Sequence, residues 1–287
     1  MKYLKLIRIK HYIKNALIFL PLIFSGMMTN FELFVNTFLG ALTFCFLSST
    51  IYIINDIRDI ENDRAHPTKR KRPIASGEIP VKTASIIAGI LLIISFITNY
   101  CVARFDIMPW AYAILYFLLN IAYSMGLKNV PIADIAILVS GFLIRVLYGS
   151  VITGIEISNW LYLSVMSMSF YLGLGKRRNE LARSSNVSSR KVLKFYTYGF
   201  LDKNMYMCLA LTVMFYSLWS IDKVTVARIG NSRLIWSVPL LILCCMKYSL
   251  NIESNSDGDP VEVILHDKML IFLSGFLMLF MIAVIYF

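Results

Sequence analysis

The sequence predicts an all-α polytopic membrane protein with about nine transmembrane helices, and three observations lead there. Hydrophobic residues make up 58% of the 287 and charged residues only 16%, too oily a balance for a water-soluble domain. The apolar residues fall in long runs of roughly 20, the length a helix needs to cross a hydrocarbon core about 30 Å thick. The runs do not alternate apolar with polar positions, so helices rather than barrel strands must satisfy the backbone in lipid.

In chain order, the first run covers about residues 11–29 and is the least regular, interrupted by Pro21 and closing in Ser25–Gly26. The second, 35–55, contains GALTFCFLSSTIYII, and the third, 81–101, contains ASIIAGILLIISFI. Runs at 108–126, 131–153 and 158–176 follow, the fifth opening at Pro131 and carrying Arg145, the sixth ending in LGLGK. The last three are 204–222, 233–250 and 268–287. No connection between runs is long enough for a soluble domain, so residues 1–287 read as a single membrane-embedded domain. The N-terminal MKYLKLIRIKHYIKNALIFLPLIFSG has the basic start of a signal peptide, but it has no small-x-small cleavage site and eight runs follow it. It is read as retained.

The formal net charge of +11 is explained by topology. With the N-terminus in the cytoplasm, 23 of the 28 Lys and Arg fall in cytoplasmic segments, and only Arg104, Lys223, Arg228 and Arg233 lie outside. That bias is the positive-inside pattern of a bacterial plasma (inner) membrane protein. It puts the C-terminus outside, and nucleic acid need not be invoked. The five cysteines lie in or at the ends of apolar runs without metal-ligand spacing and read as small hydrophobes. His11, His66 and His266 are too scattered for a zinc site.

The informative stretch is NDIRDIENDRAHPTKRKRPIASG, residues 55–77, set between two apolar runs. On a continuous helix, Asp59, Asp63 and Asp56 fall at about 40°, 80° and 100° from Asn55, and Glu61 at about 240°. Asn55, Asp56, Asp59 and Asp63 thus share one arc at the cytoplasmic end of the second span. Oxygen donors gathered on one face suit Mg²⁺, which keeps one or two carboxylates and completes its shell with phosphate oxygens and water. The bland alternative is a solvated helix end. Against it stands the basic run that follows, where Pro67 and Pro73 stiffen the loop and Lys69, Arg70, Lys71 and Arg72 bring phosphate-binding charge. Spacing leaves open which of the four face a ligand.

Other cytoplasmic segments add to this. YSMGLKNVPIADIA, residues 123–136, offers Tyr123, Lys128 and Asp134; taken alone it reads as an ordinary helix connection. Arg145 lies eleven residues after Asp134 and returns to within about 20° of the same face. An arginine at that depth is expensive in lipid; it faces a polar cavity or acts as a structural hydrogen-bond donor. LGLGKRRNELAR contributes Lys176, Arg177, Arg178 and Glu180, where cations snorkel at a span end, and RIKHYIKN adds Lys10, Lys14 and Asn15. SNSDGDPVEVILHDK resembles a calcium loop around Asp257 and Asp259, but its twelfth position is Lys268, not glutamate, so calcium is rejected. Acids for a metal, cations for phosphates and helices around a lipid all face one compartment. Together they indicate a reaction between a cytosolic polyphosphate donor and a membrane lipid.

NDIRDIEND at 55–63 resembles the first acidic signature of the UbiA superfamily of intramembrane prenyltransferases. With RIKHYIKN, HPTKRKRPIASG, YSMGLKNVPIAD, GFLIRVLYG, LGKRRNE and DGDPVEVILHD in order along nearly the whole chain, the sequence resembles the subgroup of phosphoribosyltransferases that act on decaprenyl phosphate. The resemblance implies a nine-span bundle around a cavity open to the cytoplasm. It also implies Mg²⁺-dependent transfer of 5-phosphoribosyl from phosphoribosyl diphosphate to a polyprenyl phosphate, with release of pyrophosphate. By motif match, Asn55, Asp56, Asp59 and Asp63 hold Mg²⁺ and the diphosphate, with Asp59, Asp63 and Asp134 as catalytic candidates. Lys14, Asn15, Lys69, Arg72, Tyr123, Lys128, Lys176 and Arg177 are candidate substrate contacts, and Arg145 supports the cavity. The second loop carries only Asp134 where many superfamily members carry a fuller acidic pattern. Cell-envelope biosynthesis is the role this subgroup implies; prenyl length and oligomeric state are not readable.

Two rival functions are separable. A prenyltransferase acting on an aromatic or other small acceptor would use the same acids on a prenyl diphosphate, but HPTKRKRP and LGKRRNE favour a donor with an additional 5-phosphate. A transporter would place its ionisable groups near the bilayer midplane, whereas here only Arg145 is deep.

Overall fold

The computed structural model describes residues 2–65, 69–182, 191–253 and 260–287. His66 and Pro67 of the basic loop, and Asp257 and Asp259 of the loop tested for calcium, lie outside them. Among the described residues the regular structure is entirely helical. It runs α1 (Lys2–Ile7), a 3₁₀ segment (Ile9–Phe19), α2 (Leu20–Phe24), α3 (Phe31–Arg58), α4 (Ile60–Ala65), α5 (Val81–Ala103), α6 (Ile107–Met125) and α7 (Ala133–Thr153). Then follow α8 (Asn159–Ala182), α9 (Tyr198–Ile221), α10 (Lys223–Ile229), α11 (Ser237–Glu253), α12 (Pro260–His266) and α13 (Lys268–Tyr286).

The all-helical, multi-span expectation holds, while the count of nine does not follow from the described helices. Seven are long and apolar enough to cross a membrane: α3, α5, α6, α7, α9, Arg233–Glu253 including α11, and α13. Two expected spans differ. The sixth is the 24-residue helix α8, whose buried serines and charged end KRRNE dilute its apolar character. The first is mostly 3₁₀. Pro21 has no N–H to give the Leu17 carbonyl, which instead accepts from Leu20 N–H in the tighter pattern. The backbone there is also crowded, because a Cβ on Gly149 of α7 would stand 2.1 Å from the Ile18 carbonyl oxygen.

The chain forms two compact units. The first comprises Met1–Leu22, Thr29–Leu127 and Ile144–Ile155. Its axis is α3, which packs on α1, the 3₁₀ segment, α5 and α6. Two of its buried hydroxyls turn back to carbonyls of their own helix, Ser48 to Phe44 at 2.6 Å and Thr50 to Phe46 at 3.0 Å, so burial leaves them bonded. Ile18, Phe44, Ile51, Tyr116 and Tyr148 fill one core. Leu6, Ile53, Ile74, Ile79, Ala84 and Leu91 fill another beside the acidic turn.

The second unit comprises Ile23–Met28, Lys128–Leu143 and Glu156–Phe287. Within it α8 packs on α9 and α11 on α13, around Tyr171, Leu201, Met205, Tyr248 and Ile252 and around Tyr216, Trp219, Leu234 and Val284. Side-chain caps start its helices where composition predicts them, Thr197 at α9 and Asp267 at α13. The cysteines are free thiols, all buried except Cys101.

Candidate active site

In the first unit, the acidic turn is not one straight helix. α3 ends at Arg58, Asp59 caps it at φ −95°, ψ 14°, and α4 restarts at Ile60. Asp59 N–H still donates to the Asn55 carbonyl at 2.9 Å, and Asp63 N–H to the Asp59 carbonyl at 2.8 Å, so the chain kinks without losing its path. The kink divides the expected arc. Asp56 and Asp63 are each 3% exposed, while Asn55 and Asp59 are half-buried.

The basic loop is held against these acids by apolar anchors rather than by charge alone. Ile74 and Ile79 are 2% and 1% exposed in the core beside α3, each contributing about 1.5–3 kcal/mol of burial. Arg64 Nε donates to the Ala75 carbonyl at 3.2 Å, and Ile79 N–H to Pro73 at 2.9 Å. The anchored loop sets Arg72, whose Nη1 donates to Asp56 Oδ1 at 3.0 Å and Asp63 Oδ2 at 2.7 Å. Lys69 lies one turn away, half-buried, and Arg70 and Lys71 face outward.

Arg8, the first residue of RIKHYIKN, joins them. Its Nη2 meets Asp56 Oδ1 at 2.5 Å, and its guanidinium lies 4.7 Å above the Tyr52 ring. The backbone at Arg8 is left-handed, φ 55°, ψ 50°, uncommon for a side-chain-bearing residue. It is held from the preceding residue, because the Ile7 carbonyl accepts Ser49 Oγ at 2.7 Å. No spacing rule finds Arg8, because its link to Asp56 spans 48 residues.

Asn15 is buried, and its Oδ1 accepts from Arg145 Nε at 2.7 Å. Arg145 also donates to Tyr116 OH at 2.8 Å and lies over that ring at 4.6 Å. Of the two readings left open for Arg145, the contacts shown are those of a hydrogen-bond donor that ties the 3₁₀ segment to α6 and α7. Lys14 and Tyr123 are half-buried in the same unit.

The second unit holds Asp134, Arg177, Lys128 and Lys176. Asp134 and Arg177 are fully buried. Arg177 Nε meets Asp134 Oδ2 at 2.5 Å and its Nη1 meets Glu180 at 2.7 Å. Tyr196 OH donates to Asp134 Oδ1 at 2.5 Å while accepting the Ile132 N–H at 2.7 Å. Burial, then the bond to Asp134, pushes the Tyr196 phenol up to about 12, so it stays a donor at neutral pH. Both Asp134 oxygens are engaged, and the network braces Ile132 at φ 67°, a strained setting for a β-branched residue. Lys128 and Lys176 are half-buried.

The donors around the acidic turn are carboxylate and amide oxygens, the chemistry a hard divalent cation takes. Among the described residues no three His, Cys, Asp or Glu are gathered closely enough to hold an ion; Asp56 pairs with Arg8 and Arg72, and Asp63 with Arg72. The residues fit a divalent ion in type.

Residues 18–265 match the UbiA prenyltransferase family. A decaprenyl-phosphate phosphoribosyltransferase of Corynebacterium glutamicum is 33% identical over 272 residues, covering 93% of this chain and 81% of that protein. One of Mycolicibacterium smegmatis is 32% identical over 280 residues, covering 93% and 87%. The fold is shared with a UbiA homolog from Archaeoglobus fulgidus bound to GPP and Mg²⁺, at a TM-score of 0.72 and 20% identity over 100% of both chains.

Proposed function

Because the chain belongs to the UbiA prenyltransferase family, we propose that it is the phosphoribosyl-transferring member which its relatives' names describe, an enzyme embedded in a membrane. The observation that carries the proposal is the pair of phosphoribosyltransferases matched over 93% of this chain. The substrates are phosphoribosyl diphosphate and a polyprenyl phosphate. An oxygen of the lipid phosphate attacks the anomeric carbon of ribose, the bond to the diphosphate breaks, and pyrophosphate leaves with the electron pair. The product is a polyprenyl-phosphoryl-5-phosphoribose. The lipid phosphate is already ionised at neutral pH, so no general base is needed.

In this reading Asn55, Asp56, Asp59 and Asp63 hold Mg²⁺, which when bound offsets the charge of the departing pyrophosphate. Arg72 and Lys69 bind the donor's phosphates, with Lys14, Tyr123, Lys128 and Lys176 as further contacts. Fork-shaped guanidinium and mobile ammonium groups both suit phosphate oxygens. Asp134 and Arg177 act as positioning residues, since each is fully buried and bound to the other. The family match over residues 18–265 supports reading residues 1–287 as a single membrane-embedded transferase domain. The Lys and Arg distribution supports a bacterial plasma membrane setting with the N-terminus and the acidic turn in the cytoplasm and the C-terminus outside. Purified protein given Mg²⁺, polyprenyl phosphate and phosphoribosyl diphosphate tests this by mass spectrometry of the lipid. A gain of one phosphoribosyl group is expected; modification of an aromatic acceptor by a prenyl diphosphate, with the lipid phosphate unchanged, would assign prenyl transfer instead.

A further inference from the structure

Two guanidinium groups and two buried carboxylates meet at the acidic turn with their charges balanced. Asp56 Oδ1 receives Arg8 at 2.5 Å and Arg72 at 3.0 Å, and Asp63 Oδ2 receives Arg72 at 2.7 Å. The carboxylate side chains are 4% exposed, whereas those of Arg8 and Arg72 are 20% and 29% exposed, so the cations lie on the accessible side. Arg8 is placed there by contacts of its own. The Ile7 carbonyl is fixed by Ser49, the Arg8 backbone is left-handed, and the guanidinium rests over Tyr52.

We infer that Arg8 is a built-in counter-ion: it competes with the divalent cation for Asp56, and when the cation binds it is released to a phosphate of the donor. This rests on the metal–polyphosphate reading above. A divalent ion replacing two guanidinium contacts leaves the net charge on the carboxylates unchanged, and the hard oxygens gain the partner they favour. Each freed guanidinium keeps its fork of donors, suited to a phosphate. Metal and donor binding are then coupled, and the coupling is reciprocal.

The test is Mn²⁺ binding to the purified protein, followed by electron paramagnetic resonance without any substrate, in wild type and Arg8→Gln. Losing the competitor tightens Mn²⁺ binding by about tenfold, the equivalent of one hydrogen bond to a charged group. In turnover at saturating Mg²⁺, the same variant raises the KM for phosphoribosyl diphosphate. A merely structural role weakens both, so weaker or unchanged Mn²⁺ binding in Arg8→Gln overturns the inference. Arg8→Lys, which keeps the charge, returns both values toward wild type; failure to do so counts against the counter-ion role. Should Arg8→Gln not fold, hydrogen exchange of the wild-type protein decides. Mn²⁺ alone raises exchange at the amides of residues 8–12, and no change there refutes release. The Mn²⁺ arms contain no donor, so they stand or fall separately from the phosphoribosyl reading.

Discussion

Replacing Asp134 by Asn separates a positioning role from a chemical one. Asp134 and Arg177 are both fully buried and joined at 2.5 Å. The substitution keeps the shape, removes the negative charge, and leaves Arg177 paired with Glu180, whose side chain is 22% exposed. Breaking a buried ion pair by changing one partner costs roughly 3–5 kcal/mol, because the other charge stays buried. Glu180 offsets part of that, so about 3 kcal/mol is expected, a fall in Tm on the order of 10 °C for a chain of this size. The assay is thermal unfolding of detergent-solubilised protein, with activity measured well below the transition. Arg177→Met combined with Asp134→Leu is expected to lose less than the two single changes together, since neither charge is then stranded. A Tm for Asp134→Asn within the error of wild type would refute the buried-pair argument. If activity were nevertheless lost, Asp134 would have a direct part in the chemistry.

Other consequences can be checked in parallel. Gly149→Ala places a methyl 2.1 Å from the Ile18 carbonyl oxygen; backbone cannot move aside as a side chain can, so a loss of at least about 1–3 kcal/mol is expected from thermal unfolding. Arg72→Ala leaves Asp56 with Arg8, takes from Asp63 its ion pair with Arg72 and removes a phosphate contact, raising the KM for phosphoribosyl diphosphate about tenfold or more. EDTA abolishes turnover and Mg²⁺ restores it, read by pyrophosphate release. Lys247 and the Leu270 N–H hold the Asp267 carboxyl below its ordinary 3.8. Its depressed folded value stabilises the protein at neutral pH, and the contribution is lost as pH falls below that range. The Tm difference between wild type and Asp267→Asn is therefore flat from about pH 5 to 8 and shrinks below about pH 4.

The apolar runs were enough to read the helices, because in lipid both length and composition are dictated by the bilayer. The run at 35–55 became Phe31–Arg58, and the run at 81–101 became Val81–Ala103. The first segment was harder. Pro21, which removes the N–H that would reach Leu17 at the segment's end, is visible in the sequence; Gly149 lying against Ile18 is not. The acidic turn could be read as a cluster of donors, but an even 100° step per residue carries no signal for a kink at Asp59. Arg8 was hidden for another reason. A basic N-terminus is the ordinary mark of topology, and only the folded contact across 48 residues distinguishes this arginine from its neighbours. Asp134 and Arg177 are both visible as charged residues beside apolar runs, but their pairing at a separation of 43 residues depends on the packing of α7 against the end of α8.

The most direct test of the account is transfer of label from ribose-labelled phosphoribosyl diphosphate into the lipid phase. Purified protein is incubated with Mg²⁺ and polyprenyl phosphate beside an Asp63→Asn variant and an EDTA control. The account predicts label in the lipid matched by pyrophosphate released, dependent on both substrates and lost in both controls. Absence of lipid label, with turnover appearing once a prenyl diphosphate and an aromatic acceptor are supplied, would contradict phosphoribosyl transfer.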